Sequence, residues 1–372
     1  MALHDHPARS VSLDRLAPVS ETDVHMMRRD CQSIEIVGGG LAGLGLGLAL
    51  RRRGVPVTLF EAHGYPRHRV CGEFIAGLDD DTIGRLGIAP LLADALRHRR
   101  VVWHRRNQTG QSQFLPAPAL GISRYRLDAR LAEAFVEAGG SLRTQTRIPQ
   151  EAQPAGRVFA SGRRLRPSPW IGLKVHARNL PRSTDLEVHL GDQAYVGLAG
   201  IEEGRVNVCG LFRRRPISPG KPPAHSSSLL LRYLEASGLT ALAGRLREGN
   251  LDEASFCAVA AVNFQTEPFR PGRLCLGDSL AMIPPFTGNG MAAALQSAAL
   301  ALEPLSNWAR GGPPWVDTVA AVNRSLRRRF RVRLASARLL HPFLLEPWRQ
   351  LWLAWAGRAR LLPLGPLYHL TH

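Results

Sequence analysis

The chain has 372 residues, 45% of them hydrophobic, with 48 Lys or Arg against 30 Asp or Glu and a formal net charge of +18. That length and apolar content predict a nucleotide-binding domain carrying a second lobe, not a disordered chain. Only Lys174 and Lys221 are lysines, so the basic charge is arginine, and no aromatic–basic or DNA-reading motif accompanies it, which excludes nucleic acid as a partner.

Cys31, Cys71, Cys209, Cys257 and Cys275 show no C-x-x-C spacing, so a reducing cytoplasm is expected and a metal site is not. Residues 1–30 lack an apolar h-region and are expected to be a loosely ordered leader. No stretch reaches the roughly 18 uninterrupted apolar residues of a membrane span.

Ile34–Val37 is of strand type, and Gly38, Gly40 and Gly43 follow as G-x-G-x-x-G where helical periodicity begins. Such a turn needs glycine for a tight bend, for close approach of a pyrophosphate, and for helix-on-strand packing; the anion then meets unpaired N–H groups at the helix start. Gly47 keeps one helix face small, Arg51 to Arg53 place cations in the last turn, and Gly54 supplies the stop. A second strand, Val55–Phe60, ends at Glu61, placed to accept hydrogen bonds from an adenosine ribose; an NADP site would more often show arginine there.

Residues 62–77 are turn-rich, readable as a surface loop or as a loop over the cofactor. Residues 79–97 read as helical, Val101–Pro116 as one or two strands, and Ser123–Asp128 leads into a helix over Ala129–Ala138 ended by Gly139-Gly140. Strands are expected at Ser141–Thr146 and Arg157–Ala160. From Trp170 to Phe212 the pattern alternates in strand fashion, predicting an antiparallel second lobe. Residues 213–224 are Pro-rich and read as a linker or surface loop, followed by a helix near Ser227–Ser237 and a strand at Ser255–Val262.

A second chemical stretch begins at Arg273–Leu276, a short strand ended by Gly277-Asp278; Pro285, Gly288, Asn289 and Gly290 then lead into an Ala-rich helix. A carboxylate at a strand end needs a partner, and Asp278 is placed to bind a hydroxyl. Two helix-start sites so far apart predict one long ligand held at both ends. In the C-terminal region, Val319, Val322, Leu326, Phe330 and Leu334 form an apolar stripe, with Arg324, Arg327, Arg328, Arg331 and Arg338 opposite as a solvated basic face. The tail Leu339–Leu370, interrupted by prolines, is expected to cap a core.

With both motifs in hand, the chain resembles the p-hydroxybenzoate-hydroxylase-like FAD oxidoreductases, in their geranylgeranyl-reductase-like and tryptophan-halogenase-like branch, from about Ser33 to Leu305. The resemblance implies an α/β fold: a three-layer dinucleotide (FAD)-binding domain in two parts (33–170 and 257–314), an inserted antiparallel β-sheet substrate domain (171–256), and a helical C-terminal cap (315–372), behind a leader at 1–32. It implies FAD contacts at Gly38, Gly40, Gly43, Glu61, Ala62, Arg69, Arg124 of S-R-x-x-L-D, Asp278 on the ribityl chain, and Pro285, Gly288, Asn289 and Gly290 facing the flavin pyrimidine. Pro66–Gly77 looks like the P-x-x-x-x-C-G-E loop, making Cys71 and Glu73 the catalytic candidates, with Arg69 expected to lower the Cys71 thiol pKa.

Against the prenyl-reductase pattern Y-x-W-x-F-P, Tyr195 is kept but Gly197, Ala199 and Gly200 are small; the halogenase W-x-W-x-I-P motif is absent, so halogenation is not expected. The leading expectation is monooxygenation of a hydrophobic aromatic or polyketide-like molecule, with NADH or NADPH as electron donor. Reduction of a carbon–carbon double bond is the alternative, and an FAD-binding accessory protein with peripheral contact to an anionic membrane is the alternative from another class.

Overall fold

A computed structural model describes residues 31–105, 108–149, 151–164, 166–216, 225–264, 266, 269–358 and 364–371. The expected leader at 1–30 and part of the Pro-rich loop, 217–224, lie outside the described residues. In chain order, β1 (Ile34–Val37), α1 (Leu41–Arg52) and β2 (Val57–Phe60) are followed by β3 (Phe74–Ile75), α2 (Asp80–Leu86), β4 (Leu96–Arg105) and β5 (Gln108–Gly121). Then come α3 (Arg124–Glu137), β6 (Ser141–Arg143), β7 (Arg157–Phe159), β8 (Trp170–Arg178), β9 (Leu186–Gly191), β10 (Ala194–Gly200) and β11 (Val206–Arg213). The remainder is α4 (Ser228–Ala236), α5 (Thr240–Glu248), β12 (Asn250–Val262), β13 (Leu274–Cys275), α6 (Gly290–Ala309), α7 (Trp315–Leu345), α8 (Pro347–Arg358) and α9 (Leu364–Thr371).

Two sheets carry the fold. The first is parallel, in the order β13-β7-β1-β2-β6. Every residue of α1 from Leu41 to Leu50 is buried, because this helix is apolar all round and packs against the sheet, α3 and α6. A Cβ on Gly47 would lie 3.0 Å from the Phe135 ring of α3, so the expected small face is where the two helices meet.

The second sheet has eight strands, β12-β8-β11-β10-β9-β4-β5-β3. One face packs on α4 and α5 through Val175, Val196, Val208, Phe212, Leu234 and Leu242. It also recruits β3, β4 and β5 from a stretch expected to belong to the first lobe. Alternation reveals a strand but not its partner sheet, and here β4 pairs in parallel with β9.

Other differences have local causes. The helix expected over 79–97 stops at Leu86, where Gly87 takes a left-handed φ of 66°, and after a short 3-10 turn at Ala89–Leu92 the chain enters β4. Helix α3 starts five residues early, at Arg124, because Ser123 caps it by accepting from the Arg126 N–H at 3.1 Å. The loop over 62–77 contains the two-residue strand β3, and a second helix, α5, follows α4.

The stripe on α7 packs as expected, but Arg333 also lies on the buried side, where its guanidinium donates to Gln296 Oε1 at 2.8 Å. Leu344, Leu345 and the half-buried Leu353 of α8 join a core cluster and buried Gln350 donates to the Gly191 carbonyl at 2.7 Å, so the tail packs on the core as expected, while Trp348, Trp352 and Trp355 of α8 are 59%, 61% and 57% exposed. No helix among the described residues is long and apolar enough to cross a membrane.

Candidate active site

The first glycine turn is built as its spacing predicts. Gly38 has φ +112°, and a Cβ there would stand 2.3 Å from the Ala160 carbonyl oxygen, so only glycine fits between β1 and β7. Helix α1 begins after Gly40 with no side-chain cap and no acidic residue in its first turn. Its leading N–H groups and positive dipole end are therefore open to an anion.

Arginines ring this opening. Arg124 Nη2 lies 3.8 Å from where a Gly40 Cβ would be, and Asp128 holds the Arg124 fork through Nε–Oδ1 at 2.7 Å and Nη2–Oδ2 at 2.8 Å. Although burial disfavours the cation, this carboxylate raises the Arg124 pKa further above its usual value. Arg69 links Asp128 (3.0 Å) to Glu61 (3.6 Å). Asp128 was not among the sequence candidates; its signal was the i,i+4 spacing from Arg124. Glu61 is buried, accepting from the Gly39 N–H at 2.8 Å and the His63 N–H at 3.1 Å, and the Tyr65 hydroxyl donates to the Gly39 carbonyl at 2.5 Å. Ala62 follows Glu61 just beyond the end of β2 and is half-buried.

The second motif meets the first. A Cβ on Gly277 would lie 3.3 Å from Ala42 Cβ in the first turn of α1. Asp278 is exposed next to this junction; the surrounding protein raises its carboxyl pKa, opposed by the charges of Arg124 and Arg163. Pro285 opens a 3-10 turn, Gly288 adopts φ 69° with its carbonyl accepting from the Ala76 N–H at 3.2 Å, and Gly290 starts α6. Buried Asn289 donates its side-chain amide to the Thr371 carbonyl of α9.

Cys71 and Glu73 have different surroundings. Glu73 is fully buried, with φ 55°, and accepts from the Arg124 N–H at 3.1 Å; His176 Nε2 is 2.6 Å away and Lys174 Nζ 3.4 Å. Burial alone would raise its pKa, but His176 and Lys174 pull it below the usual carboxylate value. Cys71 is half-buried, and its carbonyl accepts from Asn207 Nδ2 at 2.9 Å. Burial raises its thiol pKa and outweighs Arg124, which corrects the expectation of an activated thiolate: the desolvation cost exceeds the arginine's attraction. The 62–77 loop is thus clamped to the second sheet.

Residues 36–70 match the NAD(P)-binding Rossmann-like domain family. The flavin-dependent brominase Bmp2 superposes with a TM-score of 0.72 at 17% identity, over 91% of this chain and 92% of that one. FqzB superposes at 0.70 and 15% identity, over 92% and 90%. PqsL, a probable FAD-dependent monooxygenase from Pseudomonas aeruginosa, superposes at 0.63 and 17% identity, over 86% and 98%. The fold is that of flavin-dependent monooxygenases and halogenases. By sequence, no curated protein matches the chain.

Behind the second sheet, His104, Glu187 and His189 bring ligand-type atoms within 4.8 Å of one another. The imidazoles are stacked 4.3 Å apart and only 8° from parallel, so their in-plane lone pairs do not converge on one ion; Arg245 also donates to Glu187 at 2.9 Å. Glu187 thus gathers hydrogen bonds from His189, Arg245 and Ser183, while the neighbouring His104 Nε2 stays unpaired, and the buried imidazole carries a pH dependence. Burial pushes His104 down to about 4, and likewise His341 of α7. Because both bind protons more weakly folded than unfolded, their stabilisation is present above about pH 6.5 and is lost as pH falls toward 4. The urea midpoint should therefore drop steadily between pH 6.5 and 4.5. A midpoint constant across that range would contradict these assignments.

Proposed function

We propose that this chain is an FAD-dependent oxidoreductase that oxygenates a hydrophobic aromatic or polyketide-like small molecule, taking electrons from NADH or NADPH. The observation that carries the reading is the meeting of two motifs in one cleft, with the uncapped start of α1 beside Arg124 at one end and Asp278, without a direct hydrogen bond to any described residue, at the other. The donor set fits FAD: open amides and a fixed guanidinium suit a diphosphate, and an acceptor carboxylate suits a polyol.

When bound, FAD supplies two-electron redox chemistry and, once reduced, activates oxygen. The protein's part is positioning and enclosure. Arg124, oriented by Asp128, would hold the diphosphate; Asp278 would accept from a hydroxyl; and the turn over Pro285–Gly290 would present backbone N–H groups to the ring system. The sheet face toward that turn is apolar, with Val188, Leu190, Tyr195, Leu211 and Phe286 in one cluster. A substrate bound against that face would have to be apolar, and such a lining would limit water.

The double-bond-reductase reading keeps one supporting observation, the single O–H that Tyr195 places in this apolar cluster, although burial raises its pKa and weakens it as an acid. Oxygen separates the two readings. The purified protein should be yellow, bleach anaerobically with NADH or NADPH, and on admission of oxygen pass through an absorbance distinct from both end states before recolouring. Immediate recolouring without such a phase would favour the reductase, and a colourless protein that binds no FAD would end the flavoprotein proposal.

A further inference from the structure

Helix α7 has an outer side that the cofactor site does not use. Between this helix and the segment carrying Thr266, Phe269 and Leu280 lies an open groove of about 750 Å³, a volume within the range of small-molecule sites. Its floor is formed by Phe269, Leu280, Leu326, Phe330 and Leu334, which belong to the first lobe's core or pack against it. None of its lining residues belongs to the apolar cluster around Tyr195 on the second sheet, so the groove is a separate site.

Arginines form the wall. Arg327, Arg328, Arg331 and Arg338 line the groove, all are exposed, and no acidic residue lines it. Arg338 donates to the Phe264 carbonyl at 2.8 Å and to Thr266 Oγ1, and the Arg327 guanidinium stands 4.1 Å from the centre of the Phe269 ring. Arg328 and Arg331 make no hydrogen bond or ion pair with a described residue. Arg329, which does not line the groove, has its counter-ion in Asp79 at 3.2 Å. Asp317 in the first turn is the sole acidic residue of α7, so Arg324, Arg327, Arg328 and Arg331, spaced i,i+3 and i,i+4, repel one another with no acid on the helix to offset them. Val332, 50% exposed, leaves an apolar side chain in water among these cations.

We infer that this groove binds a single-chain amphiphile ending in a carboxylate, such as a fatty-acid anion, with the chain on the Phe269–Phe330 floor and the carboxylate on Arg328 and Arg331. An arginine fork matches a carboxylate through two parallel hydrogen bonds. A polyanion without a tail would leave the floor in water, and a neutral lipid would leave the arginines uncompensated. The orientation follows from charge as well. Leu280, Phe330 and Leu334 also line a narrow cavity that reaches Gly277, Asp278 and Gly290, and the Asp278 carboxylate at that end turns an anionic head back toward the arginine wall.

Binding is read without turnover, so the outcome is independent of the oxidoreductase proposal. The purified full chain is titrated calorimetrically at physiological salt with decanoate, octanoate, decyltrimethylammonium and acetate. Decanoate should occupy one site per chain and bind about tenfold tighter than octanoate, because two more methylenes leave water. It should also bind about tenfold or more tighter than the cation of the same chain length, and acetate should not bind. Arg328→Glu combined with Arg331→Glu should reverse the preference between the two decyl probes, with flavin content and melting temperature near wild type. Arg97→Glu combined with Arg99→Glu, the same change of net charge at exposed positions of β4, should leave decanoate affinity within about twofold. Ala335→Trp, at an exposed position lining the groove, fills the space without changing charge. It should weaken decanoate by about tenfold or more, and it serves as the second variant should the charge reversal fail to fold. Absence of decanoate binding, equal binding of the anionic and cationic probes, or no gain from octanoate to decanoate would overturn the inference. So would an affinity that survives both the α7 reversal and Ala335→Trp, or one that falls equally in the β4 variant.

Discussion

Gly40→Val should give a folded protein without flavin. Gly40 has φ −90° and ψ −174°, an extended conformation that valine adopts readily, and the nearest group to a Cβ there is Arg124 Nη2 at 3.8 Å. The added side chain therefore meets little protein, but it fills the approach to the first amides of α1 and to the Arg124 guanidinium. Losing two charge-assisted hydrogen bonds removes more than about 3 kcal/mol, over a hundredfold in Kd. The ratio of flavin to protein absorbance should collapse while far-ultraviolet circular dichroism and melting stay near wild type. The neighbouring glycine gives a contrast: a Cβ on Gly43 would stand 2.0 Å from the Gly38 carbonyl oxygen, so Gly43→Ala should damage folding itself. A folded Gly40→Val protein with full flavin content would remove the dinucleotide assignment.

The second large effect is expected from Glu73→Ala. This carboxylate and Lys174 are both fully buried, and the pair joins the 62–77 loop to β8 of the second sheet. Removing the acid strands a cation in the interior and leaves His176 and the Arg124 N–H without their acceptor. Breaking a buried pair from one side costs about 3–5 kcal/mol, and alanine keeps whatever strain the φ of 55° imposes. Urea denaturation at pH 7 should show that loss, and adding Lys174→Met should restore about half or more of it, because the uncompensated charge is then gone. A loss under about 1 kcal/mol would mean that Lys174 finds solvent or another anion.

The local geometry around the two glycine motifs was legible in the sequence alone. Glycine spacing after a short strand, a carboxylate at the end of the next strand, Arg124 four residues before Asp128, and Gly277-Asp278 before a helix are all readable because backbone dihedrals and i,i+4 neighbours depend on a few consecutive residues. The apolar stripe of α7 was readable for the same reason.

Contacts between distant segments were decided only by the tertiary structure. Gly277 backs onto Ala42 because β13 pairs with β7 and brings the second motif against α1. Glu73 finds Lys174 and His176, and β4 pairs with β9, because the loop and the hairpin fold over a sheet whose strands come from across the chain. His341 stands inside a helical stripe that periodicity reads as packing alone; its aromatic neighbours come from β8, β10 and two loops. Side-chain periodicity says which face of an element is buried, but the partner of that face is chosen by burial and charge pairing summed over the whole fold. That sum also set the Cys71 thiol, whose neighbouring arginine was legible and whose desolvation was not.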